Sequence, residues 1–168
     1  GVPGLDRRAG GGFFKGTTTI LAGPSGSGKT TFGFQFATQG VVDGQKSMFC
    51  SLEESPGEIR TMAKSLGIGI DDPEKKGLYL LSWIPENQSP DAFISTLRSR
   101  IEVLRPSLLV LDGLSTFRHL YSQEMYSITR RLVNLTESHG ITSIFTFLAD
   151  QEPGPNLSSH GIFSIFQN

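Results

Sequence analysis

The sequence predicts an α/β fold, with a mostly parallel sheet and helices on both of its faces. From Thr17 onward, short apolar runs rich in β-branched residues alternate with longer segments of helical periodicity. This alternation is typical of chains in which each strand is followed by a helix that packs back onto the sheet. A glycine-rich turn separates the first strand from the first helix, and Leu108–Leu111 is apolar throughout. Such sheets bind ligands beyond the carboxyl ends of their strands.

The predicted elements show no internal repeat and no low-complexity tract. The predicted strands are Thr17–Ala22, Ser47–Leu52, Leu78–Trp83, Leu108–Leu111 and Ile141–Leu148. The predicted helices are Gly28–Gln39, Pro56–Leu66, Asp91–Leu104 and Gln123–Ser138. Helical spacing predicts the core-facing residues Ile94, Leu97, Ile101, Leu104, Ile128, Leu132 and Leu135. Gly140 supplies a stop for the last helix, and Pro153–Pro155 marks a loop after the last strand.

The composition is that of an ordinary globular domain. The 168 residues are 37% hydrophobic and 18% charged, which fits one domain with a sizeable core. The 15 Lys+Arg and 16 Asp+Glu residues give a net charge of -1, and no basic residue follows Arg131. A nucleic-acid-binding protein usually carries a basic excess or stripe, so the charge argues against nucleic acid as a partner.

The cellular setting is predicted from weaker features. Cys50 is the only cysteine, which excludes an intrachain disulfide and is consistent with a reducing cytoplasm. No segment approaches the roughly 20 apolar residues of a membrane-spanning helix, and the start Gly1–Asp6 does not resemble a signal peptide. We therefore expect a soluble cytoplasmic protein without a membrane partner. The chain does not begin with Met, so we expect an excised segment of a longer protein.

Residues 23–30 match the phosphate-binding pattern G-x-x-x-x-G-K-[ST] in full. Its glycines allow successive N–H groups to turn toward an anion, and the following helix adds its positive end. Lys29 would bind the β- and γ-phosphates, and Thr30 would offer its hydroxyl to Mg²⁺. A plain glycine-rich turn is the alternative, but the strand before it and the helix after it favour the phosphate loop. The predicted nucleotide-binding residues are Gly23, Ser25, Gly26, Ser27, Gly28, Lys29, Thr30 and Thr31.

Asp112 is the predicted acidic partner of the metal. A phosphate loop requires a carboxylate that holds Mg²⁺ through water, usually at the end of an apolar strand. Asp112 follows Leu108–Leu111 directly. The alternative is an Asp that only begins a turn with Gly113, and the phosphate loop favours the metal role. Thr30 and Asp112 are therefore the predicted metal residues.

Glu53 and Glu54 are candidates for the base or water-positioning group that hydrolysis requires. They follow the strand next along the chain from the phosphate loop. Consecutive carboxylates point in different directions, so we expect at most one to face the nucleotide. The alternative is helix capping, through Ser51 with Glu54 or through Ser55 with Glu58.

Together, these segments resemble KaiC-type ATPases of the RecA superfamily over nearly the whole chain. The phosphate loop alone is generic, whereas the glycine-rich entry, the Glu-Glu-Ser segment and the late Ser-His-Gly are more specific. The segments occur in the family's order: Gly4–Asp6, Gly10–Gly12, the loop at 23–30, Ser51–Ser55, Leu109–Ser115 and Ser159–Ile162.

The resemblance implies a RecA-like fold, a hexameric ring and ATP bound between subunits. It also implies that Glu53 and Glu54 act as a catalytic pair beside Lys29, and that clock-type or signalling proteins are partners. Related domains transfer phosphate to Ser/Thr hydroxyls, and here the comparable segment offers Ser164, with Phe163 in place of a second hydroxyl. Gly113 stands where the family often has Ser.

The resemblance also bears on catalysis at the end of the chain. Family members complete the site with basic residues from a neighbouring subunit, located beyond the late strand. The chain ends at Asn168, and we expect residues 1–168 to form a single domain that is truncated before its final strands. Without those basic residues, the domain is expected to bind nucleotide well and hydrolyse it poorly.

Two other functions remain open at this stage. The fold is shared with DNA recombination and repair ATPases, against which the neutral charge argues. A nucleotide-gated interaction module with little catalysis is the other alternative. No motif that would recognise the base of the nucleotide is evident. The prediction of ATP rather than another nucleoside triphosphate therefore depends on the resemblance.

Overall fold

The computed structural model describes residues 13–65, 77–84 and 89–149. Within them, five strands form one sheet in the order β1-β5-β4-β2-β3, and every pairing is parallel. The strands are β1 Thr18–Gly23, β2 Ser47–Ser51, β3 Leu78–Ser82, β4 Leu108–Asp112 and β5 Thr142–Leu148. The helices are α1 Lys29–Val42, α2 Pro56–Ser65, α3 Pro90–Leu104, α4 Ser115–Leu120 and α5 Met125–Ser138. The predicted α/β class is confirmed.

Helices cover both faces of the sheet, as predicted. On β4, Leu109 and Leu111 belong to the core beneath α3 and α5, whereas Val110 belongs to the core beneath α1 and α2. Successive residues of a strand point to opposite faces, so each central strand is apolar in both directions. The predicted core-facing residues Ile94, Leu97, Ile101, Ile128, Leu132 and Leu135 are buried, and Leu104 is half-buried against them.

Helix α1 extends to Val42, so the predicted end at Gln39 is wrong. The helix continues through Gly40, and this glycine brings it close to the sheet. A Cβ at Gly40 would lie 2.1 Å from Leu108 Cδ1, and one at Gly33 would lie 2.8 Å from Val110 Cγ1. Both glycines therefore serve close packing rather than termination.

A second correction concerns the segment after β4. The short helix α4 was not predicted, and α5 begins at Met125 rather than Gln123. A helix of 6 residues is too short to show a clear apolar period in sequence. The remaining boundaries differ by one or two residues, within the usual fraying of element ends.

The register of the sheet brings the ends of four strands to one edge. Ser51 pairs with Asp112 across β2 and β4, and Gly23 pairs with Leu148 across β1 and β5. We call this the carboxyl edge, and the opposite end of the sheet the amino edge. The predicted segments at 1–12 and 150–168, including Ser159–Ile162 and Ser164, lie outside the described residues.

Candidate functional site

The glycine-rich loop leaves β1 at Gly23 and enters α1 at Lys29. Gly26 and Gly28 have φ of 74° and 85°, a left-handed conformation that glycine adopts without strain. Gly28 is the N-cap of α1, and no side chain caps the helix. No capping side chain therefore accepts hydrogen bonds from the first N–H groups of α1. This is the arrangement of a helix terminus that binds anions.

The Lys29 side chain folds over this loop. Its Nζ donates to the carbonyl oxygens of Gly23 at 2.9 Å and Pro24 at 2.7 Å, and it lies 3.4 Å from Ser27 Oγ. Burial lowers the pKa of Lys29, while the nearby Asp112 and Glu53 carboxylates act to raise it. The ammonium is therefore held at the centre of the loop, with two acidic groups close enough to interact with it.

Asp112 is almost fully buried at the end of β4, with 2% of its surface exposed. Thr146 on β5 donates its hydroxyl to Asp112 Oδ1 at 2.6 Å, and the Thr30 side chain also hydrogen-bonds the carboxyl group. Burial raises the pKa of Asp112 to about 6, against the lowering effect of these hydrogen bonds. Thr30 and Asp112 thus bring two oxygen groups together beside the loop, and oxygen is the ligand type that Mg²⁺ prefers.

Glu53 lies over the turn that follows β4. Its Oε1 accepts a hydrogen bond from Thr116 Oγ1 at 3.1 Å, and its side chain is exposed. Gly113, with φ of 86°, passes directly beneath it. The Glu53 carboxylate is thereby brought to the same cavity as Lys29 and Asp112.

Glu54 turns in a different direction. Its Oε2 accepts a hydrogen bond of 2.6 Å from Ser51 Oγ, which in turn accepts from Glu54 N at 2.9 Å. The second capping pair also forms, because Ser55 N donates to Glu58 Oε2 at 2.8 Å and Glu58 N donates to Ser55 Oγ at 3.4 Å. Both predicted capping pairs are therefore present, and the Glu54 carboxylate takes part in one of them. A catalytic role for Glu54 stays a prediction.

These groups line a cavity of about 330 Å³ at the carboxyl edge. Its lining residues are Ser25, Gly26, Gly28, Lys29, Thr30, Thr31, Glu53, Asp112, Gly113, Ser115, Thr146 and Leu148. Of the predicted site residues, Gly23, Ser27 and Glu54 do not line it, although the first two shape the loop around Lys29. Sequence reasoning missed Thr116 and Thr146. A polar residue near the carboxyl end of the apolar strand β5 was the available signal for Thr146.

Three further observations bear on the predictions. None of the helices in the described part of the chain has the length and apolar character required to cross a bilayer. Within the same residues, no group of three or more His, Cys, Asp and Glu side chains is placed to hold a metal ion. Cys50 is fully buried in the core, as predicted, and burial raises the pKa of its thiol.

Comparison with known proteins identifies the family. The family model described as "ATPase: KaiC" matches residues 1–165. The "Circadian clock oscillator protein KaiC" of Parathermosynechococcus lividus is 29% identical over 164 residues, which cover 96% of this chain. The protein of the same description from a Picosynechococcus strain is 31% identical, and "Circadian clock oscillator protein KaiC 1" of a Synechocystis strain is 30% identical, each over 92% of this chain.

The chain spans about 30% of the length of each of these relatives. The match therefore concerns one ATPase domain rather than a whole clock protein. The family model covers nearly every residue, and the loop, Asp112 and Glu53 lie together at the edge where a parallel sheet binds its ligand. The chain belongs to the KaiC family of ATPases and has the α/β fold of its RecA-like P-loop domains.

Proposed function

We propose that this chain binds ATP with Mg²⁺ at the glycine-rich loop and hydrolyses it to ADP and phosphate. The observation that carries the proposal is the convergence of Lys29, Asp112 and Glu53 on the single cavity at the loop. A cation for the phosphates, a carboxylate for the metal and a carboxylate for the water are the parts that hydrolysis of a nucleoside triphosphate requires. The description of the matching family, "ATPase: KaiC", supports the same activity.

Each residue has a separate task in this proposal. The loop N–H groups and Lys29 bind and orient the phosphates, while Thr30 and Asp112 would hold Mg²⁺. The bound metal would offset negative charge on the phosphate oxygens. Glu53 accepts a proton from the attacking water as oxygen bonds to the γ-phosphorus, and the bond from that phosphorus to the bridging oxygen breaks. ADP leaves with the bridging oxygen.

We further propose that the domain works in a homo-oligomeric ring with nucleotide at the subunit boundary. Support comes from the relatives named as clock oscillator proteins and from the exposed position of Glu53, which a neighbouring subunit could reach. A clock-type or signalling protein as partner, and a cytoplasmic location, remain expectations from the resemblance and the composition. Autophosphorylation at Ser164 also remains a prediction, since that residue lies outside the described ranges.

Glu53→Gln tests the catalytic part of the proposal. We expect the kcat of ATP hydrolysis to fall by about 100-fold or more, because a positioned general base contributes on this scale. Nucleotide affinity should change less than about twofold, since the phosphates are bound by the loop. Phosphate release and titration with a fluorescent ATP analogue measure the two quantities.

Two further variants make that test selective. Glu54→Gln should lower kcat less, because the Glu54 carboxylate is engaged with the Ser51 hydroxyl. Glu102→Gln, on the exposed surface of α3, should leave both quantities unchanged. Equal rates in Glu53→Gln and the unaltered chain would overturn the assignment of Glu53.

A further inference from the structure

We infer that Gly113, in the turn after β4, and Thr116, in the first turn of α4, hold the Glu53 carboxylate over the phosphate cavity, and that both are positioning residues for hydrolysis. The inference rests on the proposed function, because it assigns a purpose to Glu53 as the base. It adds that the orientation of this base is set by residues 60 to 63 positions further along the chain.

Thr116 supplies the directional contact. Its hydroxyl donates to Glu53 Oε1 at 3.1 Å, between residues that are 63 positions apart. Glu53 is exposed, and an exposed glutamate ordinarily samples several rotamers. A hydrogen bond to one carboxylate oxygen favours a single orientation and leaves Oε2 to accept a proton from water.

Gly113 supplies the space. A Cβ at this position would lie 2.9 Å from both Cγ and Cδ of Glu53 and 3.0 Å from its Oε1. Any side chain at 113 would therefore displace Glu53 from the place it occupies here. The φ of 86° also makes a non-glycine residue strained at this position.

The turn is itself fixed to β5, so it offers a rigid support. Gly113 N donates to Thr146 Oγ1 at 2.9 Å, Leu114 N donates to Thr146 O at 3.0 Å, and Thr116 N donates to Gly113 O at 2.9 Å. The same Thr146 hydroxyl donates to Asp112. Thr146 thus connects the carboxylate assigned to the metal with the turn beneath the carboxylate assigned to the water.

The decisive experiment is a double-mutant cycle with Thr116→Val and Glu53→Gln. Thr116→Val removes the hydroxyl at nearly constant shape, and we expect kcat to fall about tenfold, the size expected for a hydrogen bond to a charged group. The KM for ATP should stay within about twofold, because the loop contacts are unchanged. In the Glu53→Gln background, Thr116→Val should cause no further loss, since the two residues act through one another.

Three additional variants support the cycle. Thr116→Ser retains the hydroxyl and should restore most of the rate, whereas Thr61→Val, on the exposed surface of α2, should have no effect. Gly113→Ala should lower kcat by more than Thr116→Val does, because it displaces Glu53 outright. Crystal structures should show the Glu53 carboxylate turned away from residue 116 in Thr116→Val and moved away from residue 113 in Gly113→Ala.

Several results would overturn the inference. An unchanged kcat in Thr116→Val, the same tenfold loss in the Glu53→Gln background, or an unmoved Glu53 carboxylate would each do so. If Glu53→Gln lowers kcat while Thr116→Val does not, the proposed function survives and only the inference fails. If Glu53→Gln has no effect, both fail. Should Gly113→Ala not fold, Thr116→Val decides the matter.

Discussion

The two edges of the sheet differ in size and in chemistry, and the smaller cavity holds the candidate site. At the amino edge lies a cleft of about 1010 Å³, three times the volume of the cavity at the loop. It contains aromatic side chains such as Phe13 and Phe36, and cations such as Lys15 and Arg105. Volume alone would therefore select the edge opposite the glycine-rich loop.

The direction of the chain explains the difference. Helices that return between parallel strands begin at the carboxyl edge and end at the amino edge. The last carbonyl groups of the helices therefore lie at the amino edge. Two examples are the carbonyl oxygen of Gly40, which accepts from Gln45 N, and that of Ile101, which accepts from Arg105 N. The carboxyl edge receives helix N–H groups, which favour anions. Helix polarity, rather than cavity size, predicts where a triphosphate can bind.

The close packing of α1 provides the first way to test this division of roles. Gly40→Ala should lower the free energy of unfolding by about 2–3 kcal/mol, because the new methyl group would overlap Leu108 Cδ1 and Ser47 Oγ. Nucleotide affinity of the folded protein should remain unchanged, since Gly40 lies away from the loop. Urea denaturation measures the first quantity.

Gly57→Ala is the matched control for that substitution. A Cβ there would meet only Ser55 Oγ, at 3.9 Å, so the change should stabilise the protein by up to about 1 kcal/mol. A loss of stability equal to that of Gly40→Ala would contradict the close-packing explanation.

Asp112→Asn should have a smaller effect of opposite sign on stability. The pKa of Asp112 is raised to about 6 in the fold, from an ordinary value of 3.8. Between these values the native state binds more protons than the unfolded state, so the free energy of unfolding falls as pH rises from about 4 to 6. Without Mg²⁺, Asp112→Asn should therefore be more stable than the unaltered chain at pH 8, by about 1–2 kcal/mol.

Denaturation across pH 4 to 8, in the presence of a chelator, measures this contribution. The substitution should also remove part of the fall in stability over that range, and it should weaken the Mg²⁺ dependence of nucleotide binding. Asp43→Asn, at an exposed position on the amino edge, serves as the control. If Asp112→Asn is less stable than the unaltered chain at pH 8, burial of the ionised Asp112 carboxylate does not destabilise the fold in the way that its raised pKa indicates.

The contiguous parts of the site could be predicted from the sequence, and the parts assembled in space could not. Residues 23–30 form a local pattern whose chemistry depends on adjacent backbone groups, so the pattern alone locates the loop. Thr116 and Thr146 act on Glu53 and Asp112 across 63 and 34 positions of chain. No local periodicity encodes those contacts, because they arise from the order of strands in the sheet.

The same limit affected single residues. The first helix was predicted to end at Gln39, although α1 continues through Gly40, which packs closely against the sheet. The sequence located the Glu53-Glu54 pair but did not show which carboxylate faces the cavity. The direction of each side chain depends on its hydrogen-bond partner, Thr116 for Glu53 and Ser51 for Glu54. Strands and long helices were predicted well, since burial on both faces of the sheet leaves a strong apolar signal.

The most direct test of the central claim is the affinity for MgATP, measured by calorimetry for Lys29→Ala and Lys15→Ala. Both variants remove one lysine, the first from the loop and the second from the larger cleft at the amino edge. We expect Lys29→Ala to weaken binding by about 100-fold or more, as befits loss of charge-assisted contacts to phosphate, and Lys15→Ala to bind as the unaltered chain does. Unchanged affinity in Lys29→Ala, or an equal loss in Lys15→Ala, would contradict a triphosphate site at the carboxyl edge.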